Sequence, residues 1–269
     1  MSDELLSRIE NHVLWLTINR PDAGNALTPQ VRDELRDRLV QASAEVGVRA
    51  VVITGAGSKH FCTGADLRVS RPIVERPDDA PEAVIGERAH LMRTGMPLLV
   101  NAVIDCDKPV IAAVNGTAAG AGSALVLASD LAIAADHARI IQVFVRRGLV
   151  PDGGTAYLLT RLVGMKKAKE LVLFGDDLPA AEAERLGLVN RVVPADRLEA
   201  ETKDWAERLA SGPRSLVFAK RLLNRAPDGD RATSLEEEAL AVELNNLTHD
   251  AQEGVASFVE RRPVEFKGW

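Results

Sequence analysis

Two short runs of small residues are where this sequence can do chemistry: Phe61-Cys62-Thr63-Gly64-Ala65-Asp66-Leu67 and Asn115-Gly116-Thr117-Ala118-Ala119-Gly120-Ala121-Gly122. Small side chains let a ligand approach the main chain closely, and a helix that begins there aims unpaired N–H groups outward. Two such turns brought together supply two donors converging on one oxygen, which is how an oxyanion is held. Taken singly, each turn reads first as a tight connection in an α/β domain.

Both turns need elements to position them. Each follows a continuous apolar run that reads as a buried strand, 50–54 and 110–114, and each leads into a helical pattern. Upstream, 12–18 is rich in Val, Leu, Trp and Ile and reads as a strand closed by Arg20-Pro21. Thr28 as N-cap and Pro29 in the first turn predict a helix whose Val31, Leu35, Leu39 and Ala42 form one buried stripe. Prolines and mixed charge over 69–81 predict a loop, either a lid over a pocket or a plain connector. Helix is expected over 82–104, followed by the second turn with its helix and a short strand at 131–134. Beyond Gly154 the pattern is largely helical, and Ser234 with Glu237 predicts a capping box at a helix start. The expected division is a core over 1–195 and a helical region over 196–269.

Composition narrows the function. With 269 residues, 46% hydrophobic and 27% charged, the chain reads as an ordinary soluble protein of α/β size. A net charge of -6 argues against a nucleic-acid partner, which needs clustered Lys and Arg. No run approaches the ~18 apolar residues of a membrane span, and no secretory signal is visible at the N-terminus, so a cytoplasmic location is expected. Cys62 and Cys106 read as reduced packing residues. The five histidines are scattered, and no metal site is expected.

Several ordered motifs resemble the enoyl-CoA hydratase/isomerase family, the crotonase superfamily, from about Leu14 to Phe266. They are Asn19-Arg20-Pro21 with Asn25-Ala26-Leu27, the Phe61 to Leu67 turn, Lys108-Pro109-Val110-Ile111-Ala112-Ala113-Val114-Asn115-Gly116, Gly148-Leu149-Val150-Pro151-Asp152-Gly153-Gly154, and Ser257-Phe258-Val259-Glu260. The resemblance implies a crotonase-like spiral of repeated ββα units with a helical C-terminal trimerisation region, and homotrimers often paired as hexamers. It implies an acyl-CoA thioester substrate and no cofactor beyond the coenzyme A carried by that substrate. The main-chain N–H groups of Ala65 and Ala121 are then the oxyanion hole. Ala65, Asp66, Leu67 and Arg68 are expected along the pantetheine and thioester. The loop 23–26, with Ala23 and Ala26, is expected near the adenine, and Gly120, Ala121 and Phe144 line the acyl site. Phe258 and Arg261 match a family aromatic and cation near the CoA, often donated by a neighbouring subunit; on their own they read as a packing residue and a solvated charge. Asp66 reads as a hydrogen-bond organiser of its own turn.

The sequence departs from the family's hydratases at the acid–base positions. The two glutamates of those enzymes fall at Ala124 and Phe144, which can neither orient water nor protonate carbon. Asp152 stands where the family's dienoyl-CoA and ring-epoxide isomerases carry a proton-transferring aspartate. Apolar company from Phe144, Val145 and Val150 would raise its pKa by desolvation. The competing role for Asp152 is the N-cap of a helix starting near Gly153. The expected activity is therefore carbon–carbon double-bond isomerisation of an enoyl-CoA. Alternatives are enoyl-CoA hydration in fatty-acid or aromatic-acid degradation, and non-catalytic acyl-CoA binding. Aspartate nucleophilic catalysis, as in aryl-CoA dehalogenases, is disfavoured by Phe144, where those enzymes carry tryptophan. A dehydrogenase is rejected: Gly55-Ala56-Gly57 lacks the further glycine of a dinucleotide fingerprint.

Overall fold

In a computed structural model that describes residues 2–69, 77–81 and 84–269, the chain alternates between two sheets. Strands β1 (Leu5–Glu10) and β2 (Val13–Ile18) form an antiparallel pair. Helix α1 (Pro29–Ala44) follows, capped by Thr28, whose Oγ1 accepts the Val31 N–H at 3.1 Å. Strand β3 (Ala50–Gly55) then joins the first sheet and β4 (His60–Cys62) the second. Helices α2 (Glu87–Arg93) and α3 (Met96–Ile104) lead to β5 (Val110–Val114), β6 (Thr117–Ala119) and helix α4 (Ala121–Ala128). The pattern repeats with β7 (Leu131–Ala135), β8 (Arg139–Ile141) and α5 (Thr155–Phe174), which is broken at Gly164. Strand β9 (Asp177–Pro179), helix α6 (Ala180–Arg185) and β10 (Arg191–Val193) complete the sheets. Helices α7 (Leu198–Ala210), α8 (Ser215–Arg225), α9 (Arg231–Asn246) and α10 (His249–Glu260) form the helical C-terminal region.

The first sheet runs β1-β2-β3-β5-β7-β10 and the second β4-β6-β8-β9. The pairs β3-β4, β5-β6 and β7-β8 therefore each send one strand to each sheet, and these successive units stack in parallel. This is the expected spiral of ββα turns. The central strands of the first sheet are buried on both faces, so they read as continuous apolar runs. Along β3 and β5, Val51, Ile53, Val110, Ala112 and Val114 enter the main core, while Ala50, Val52, Ile111 and Ala113 pack under Ala206 and Ala210 of α7. Thus α7, although beyond residue 195, covers the sheet's second face.

Two local expectations need correction, and one strand is new. The helix expected over 82–104 is two helices, broken at Thr94-Gly95 ahead of Pro97 in the first turn of α3. No capping box forms at Ser234: the helix begins at Arg231, and Asp230 caps it by accepting the Ala232 and Thr233 N–H groups. The Ser234 hydroxyl donates back to the Asp230 carbonyl at 2.9 Å. Strand β1 was not anticipated: its Arg8 and Glu10 interrupt any apolar run, because only Leu5 of this strand is buried. The expected lid or connector at 69–81 falls largely outside the described residues. Both cysteines are free and buried, with burial pushing the Cys62 thiol up to about 12. Among the described residues, no helix is long and apolar enough to cross a membrane.

Candidate active site

The two turns meet at the ends of β4 and β6, which pair in parallel. Gly122 makes their contact possible: a Cβ there would lie 1.9 Å from the Cys62 carbonyl oxygen. The first turn of α4 therefore rests directly on the main chain of the other turn. Gly64 completes the fit. Its φ is +107°, and a Cβ would approach the Ala119 oxygen at 3.1 Å and the Ala121 nitrogen at 3.4 Å.

The amides of both turns are aimed by what holds the far end of their peptide. No peptide bond among the described residues is cis, so each N–H lies opposite the carbonyl of the preceding residue. The Gly64 oxygen accepts the Leu27 N–H at 2.8 Å, and the Asp66 N–H donates to the Leu27 oxygen at 2.9 Å. Both bonds lie on one side of the chain, which turns the Ala65 N–H to the other. The Gly120 oxygen points into α4, where it accepts the Ala124 N–H at 3.1 Å, and the Ala121 N–H faces back out of the helix start. Neither the Ala65 nor the Ala121 N–H donates to a main-chain acceptor among the described residues. Ala121 is only 4% exposed, and an unpaired buried N–H is costly unless a ligand oxygen takes it. Ala65 is exposed.

Two asparagines hold the strand ends that deliver the first turn. Asn25, fully buried with φ +53°, donates to the Ala56 and His60 carbonyls at 3.0 and 2.7 Å and accepts the Arg20 N–H at 2.9 Å. Asn115 donates to Gly55 and Gly57 oxygens at 2.8 and 2.7 Å and accepts the Gly55 N–H at 3.1 Å. Neither was singled out for this role from sequence, although both lie in the quoted motifs; an asparagine satisfying a long-range loop has no local signature.

The 23–26 loop is brought beside the first turn. Thr63 donates its N–H and its hydroxyl to the Gly24 oxygen at 3.1 and 3.0 Å, and Arg20 bridges the Ala26 oxygen at 2.6 Å to the Asp66 carboxylate at 3.0 Å. Ala23 is half-buried and Ala26 buried. Asp66 also accepts the Arg68 N–H at 3.1 Å and its Nε at 2.9 Å. These bonds, the Arg68 side chain foremost, hold its carboxyl well below the usual range. Asp66 is thus tied into its own turn, while Leu67 and Arg68 are exposed.

On the other side, Gly120 has φ +54°, and a Cβ there would meet Val143 Cγ1 at 3.4 Å and the Phe144 ring at 4.0 Å. Phe144, 6% exposed, is therefore packed against the second turn. The turn carrying Asp152 sits on α4 and α3: a Cβ on Gly153 would lie 3.2 Å from Ala124 Cβ, with Val100 and Met96 beyond. Asp152 does not cap α5. That helix starts at Thr155 after Gly154 with no side-chain cap, and the Thr155 N–H goes to the Asp152 main-chain oxygen at 3.1 Å. The half-buried Asp152 carboxyl has its pKa raised by desolvation.

Phe258 and Arg261 are not brought to this cluster within one chain. Phe258 is 84% exposed on α10, whose helix neighbour is α9, and Arg261 is the exposed left-handed C-cap of the same helix.

Comparison with known proteins agrees with this architecture. The profile of the enoyl-CoA hydratase/isomerase family matches residues 8–269. A probable enoyl-CoA hydratase of Rhodobacter capsulatus is 39% identical over 94% of this chain and 93% of its own length. The 1,2-epoxyphenylacetyl-CoA isomerase of Escherichia coli is 34% identical over 100% of both chains. The crystal structure of an enoyl-CoA hydratase from Bacillus anthracis superposes with a TM-score of 0.88 at 33% identity, covering 99% of this chain and 100% of that one. The chain therefore belongs to the enoyl-CoA hydratase/isomerase family of the crotonase superfamily.

Proposed function

We propose that this acyl-CoA-processing enzyme moves a carbon–carbon double bond, using Asp152 as both base and acid. The observation that carries the reading is the Asp152 carboxyl itself: uncapping, half-buried, raised in pKa, and one residue from the turn that packs on Ala124. A 3-enoyl-CoA places its thioester oxygen between the Ala65 and Ala121 N–H groups. Asp152 takes a proton from the alpha carbon, and the electron pair delocalises onto the thioester oxygen and across the former double bond. The same carboxyl returns the proton at the gamma carbon, giving the 2-enoyl-CoA with no net gain or loss of atoms. Each main-chain donor stabilises the dienolate by about 3 kcal/mol.

A raised pKa suits the first half of this cycle, because a more basic carboxylate removes a carbon-bound proton more readily. The sign follows directly. The ionised form is the base, so activity falls as pH drops through the Asp152 pKa, which desolvation places higher than that of an exposed aspartate.

Hydration is the second reading, favoured by the names of relatives such as the Rhodobacter capsulatus protein. Against it stand Ala124 and Phe144, both buried, at the positions of the hydratase glutamates. The name of the Escherichia coli relative ties the same family to isomerisation of a CoA ester. The remaining site residues follow the same reading: Ala23, Ala26, Asp66, Leu67 and Arg68 border the CoA, and Phe258 with Arg261 reach it from a second copy. Exposed apolar side chains just after α9 and on α10, Leu247 at 76% and Phe258 at 84%, support a homotrimer or hexamer. The reading needs no cofactor beyond the CoA of the substrate and fits a cytoplasmic enzyme.

The test is turnover of trans-3-hexenoyl-CoA and trans-2-hexenoyl-CoA. The wild type is expected to give the mass-neutral 2-enoyl product from the first and little 3-hydroxy product from the second. Asp152→Asn is expected to lose about 10³-fold in kcat while binding the CoA ester as before. Equal rates in both proteins, or water addition as the main reaction, overturn the assignment.

A further inference from the structure

The Gly120 carbonyl accepts a second hydrogen bond that the mechanism above leaves unused. Ser123, fully buried in the first turn of α4, places its Oγ 2.7 Å from the Gly120 oxygen. Gln142, 3% exposed at the end of β8, places its side-chain amide 3.2 Å from the same hydroxyl. We propose that Ser123 is a positioning residue for the oxyanion hole, backed by Gln142, and that this pair sets both the direction and the donor strength of the Ala121 N–H. The proposal rests on the oxyanion reading of that amide.

The argument starts from the peptide unit. Gly120 C=O and Ala121 N–H belong to one trans peptide, so a donor that fixes the carbonyl fixes the N–H on the opposite side. Ala124 N–H alone would leave that plane free to tilt about a single bond. The Ser123 hydroxyl adds a second, shorter contact from a side chain that has no solvent to turn toward. Hydrogen bonds to a carbonyl oxygen also draw electron density from the amide nitrogen, which makes its N–H a better donor.

Gln142 closes the chain. A hydroxyl has one proton, and the 2.7 Å contact to Gly120 takes it. The Gln142 Oε1 at 3.2 Å then faces a lone pair, while its buried Nε2 has no partner. Turning the amide end for end gives the contact its donor: Nε2 donates to Ser123 Oγ, Oγ donates to the Gly120 oxygen, and the Ala121 N–H is left for the thioester, while Oε1 takes the buried position in which Nε2 had no partner. The relay runs from the end of β8 to the reacting oxygen through buried groups only. A buried serine at the third position of a helix would otherwise be a mild liability, since alanine fills the same space without a polar group. Its place beneath this one peptide gives it a purpose.

The experiment compares the wild type with Ser123→Ala, Ser123→Thr and Gln142→Leu. One readout is the carbonyl stretch of bound hexanoyl-CoA labelled with ¹³C at the thioester; the other is kcat and KM for trans-3-hexenoyl-CoA. In the wild type the bound carbonyl is expected to shift to lower frequency than in water. Ser123→Ala is expected to lose part of that shift and about five- to tenfold in kcat, with KM within about twofold. Ser123→Thr keeps the hydroxyl and is expected to restore the shift. Gln142→Leu is expected to move both readouts in the same direction by a smaller factor, and it serves alone should Ser123→Ala not fold. Unchanged carbonyl frequency and kcat in the folded variants overturn the positioning role. Absence of any shift in the wild type overturns the oxyanion reading itself, so the two failures are distinct.

Discussion

The two turns that present Ala65 and Ala121 use one device in opposite environments. In each, the amide is aimed by a donor on the carbonyl of the same peptide: Leu27 N–H on Gly64, and Ala124 N–H with Ser123 on Gly120. The first turn is then held by polar, long-range ties. Arg20 bridges Ala26 and Asp66, and Asn25 and Asn115 knit the 55–60 loop. The second is held by packing, with every residue of α4 buried and Gly122 seated on the Cys62 carbonyl. On the proposed function the first turn is the side that meets the CoA ester, and its polar clamp is itself buried, with Leu67 and Arg68 exposed beside it. A packed floor suits the side where the proposed reaction develops its charge, because water is excluded and each dipole counts for more.

That contrast can be broken from the packed side first. Gly122→Ala forces a Cβ to within 1.9 Å of a main-chain oxygen that cannot swing away. The variant is expected to lose about 3 kcal/mol or more of stability and nearly all activity, read by thermal melting and isomerase assay. Ala121→Gly at the neighbouring position makes the natural contrast, since donation there uses no side-chain atom.

The polar side should yield less. Asp66→Asn removes the charge shared by Arg20 and Arg68 and is expected to lower Tm by about 5 °C at neutral pH. The folded pKa of Asp66 is depressed, so its contribution is present above the unfolded carboxyl pKa and disappears as pH falls through the folded value. Wild type and variant should therefore converge in stability as the solution is acidified well below the ordinary carboxylate range. A gap that persists there would mean the loss comes from packing and not from charge.

Much of this was legible in the chain before any coordinates. Continuous apolar runs ending in small residues gave both strands and both turns, because a sheet buried on two faces leaves that trace. Thr28 and Pro29 announced α1 by chemistry that is local to four residues. What stayed hidden depends on distant partners. Gly122 carries no positive φ, and its need to be glycine comes only from Cys62, sixty residues earlier. The break between α2 and α3 is hidden by the strong helical period of Met96, Leu99, Val100 and Val103, all of which lie on α3 just beyond it. Ser234 and Glu237 match the capping-box spacing, but the helix starts one turn earlier, where Asp230 caps it. Ser123 read as one more small residue in a turn; its role appears only once the Gly120 carbonyl has a direction.

The most direct measurement is a crystal structure with a non-isomerisable acyl-CoA, such as hexanoyl-CoA, in the site. The account predicts a thioester oxygen about 2.7–3.1 Å from both the Ala65 and Ala121 nitrogens, with the Asp152 carboxylate in van der Waals reach of the alpha and gamma carbons. A ligand oxygen bonded to only one of the two amides, or an Asp152 side chain turned away from the acyl chain, would contradict it.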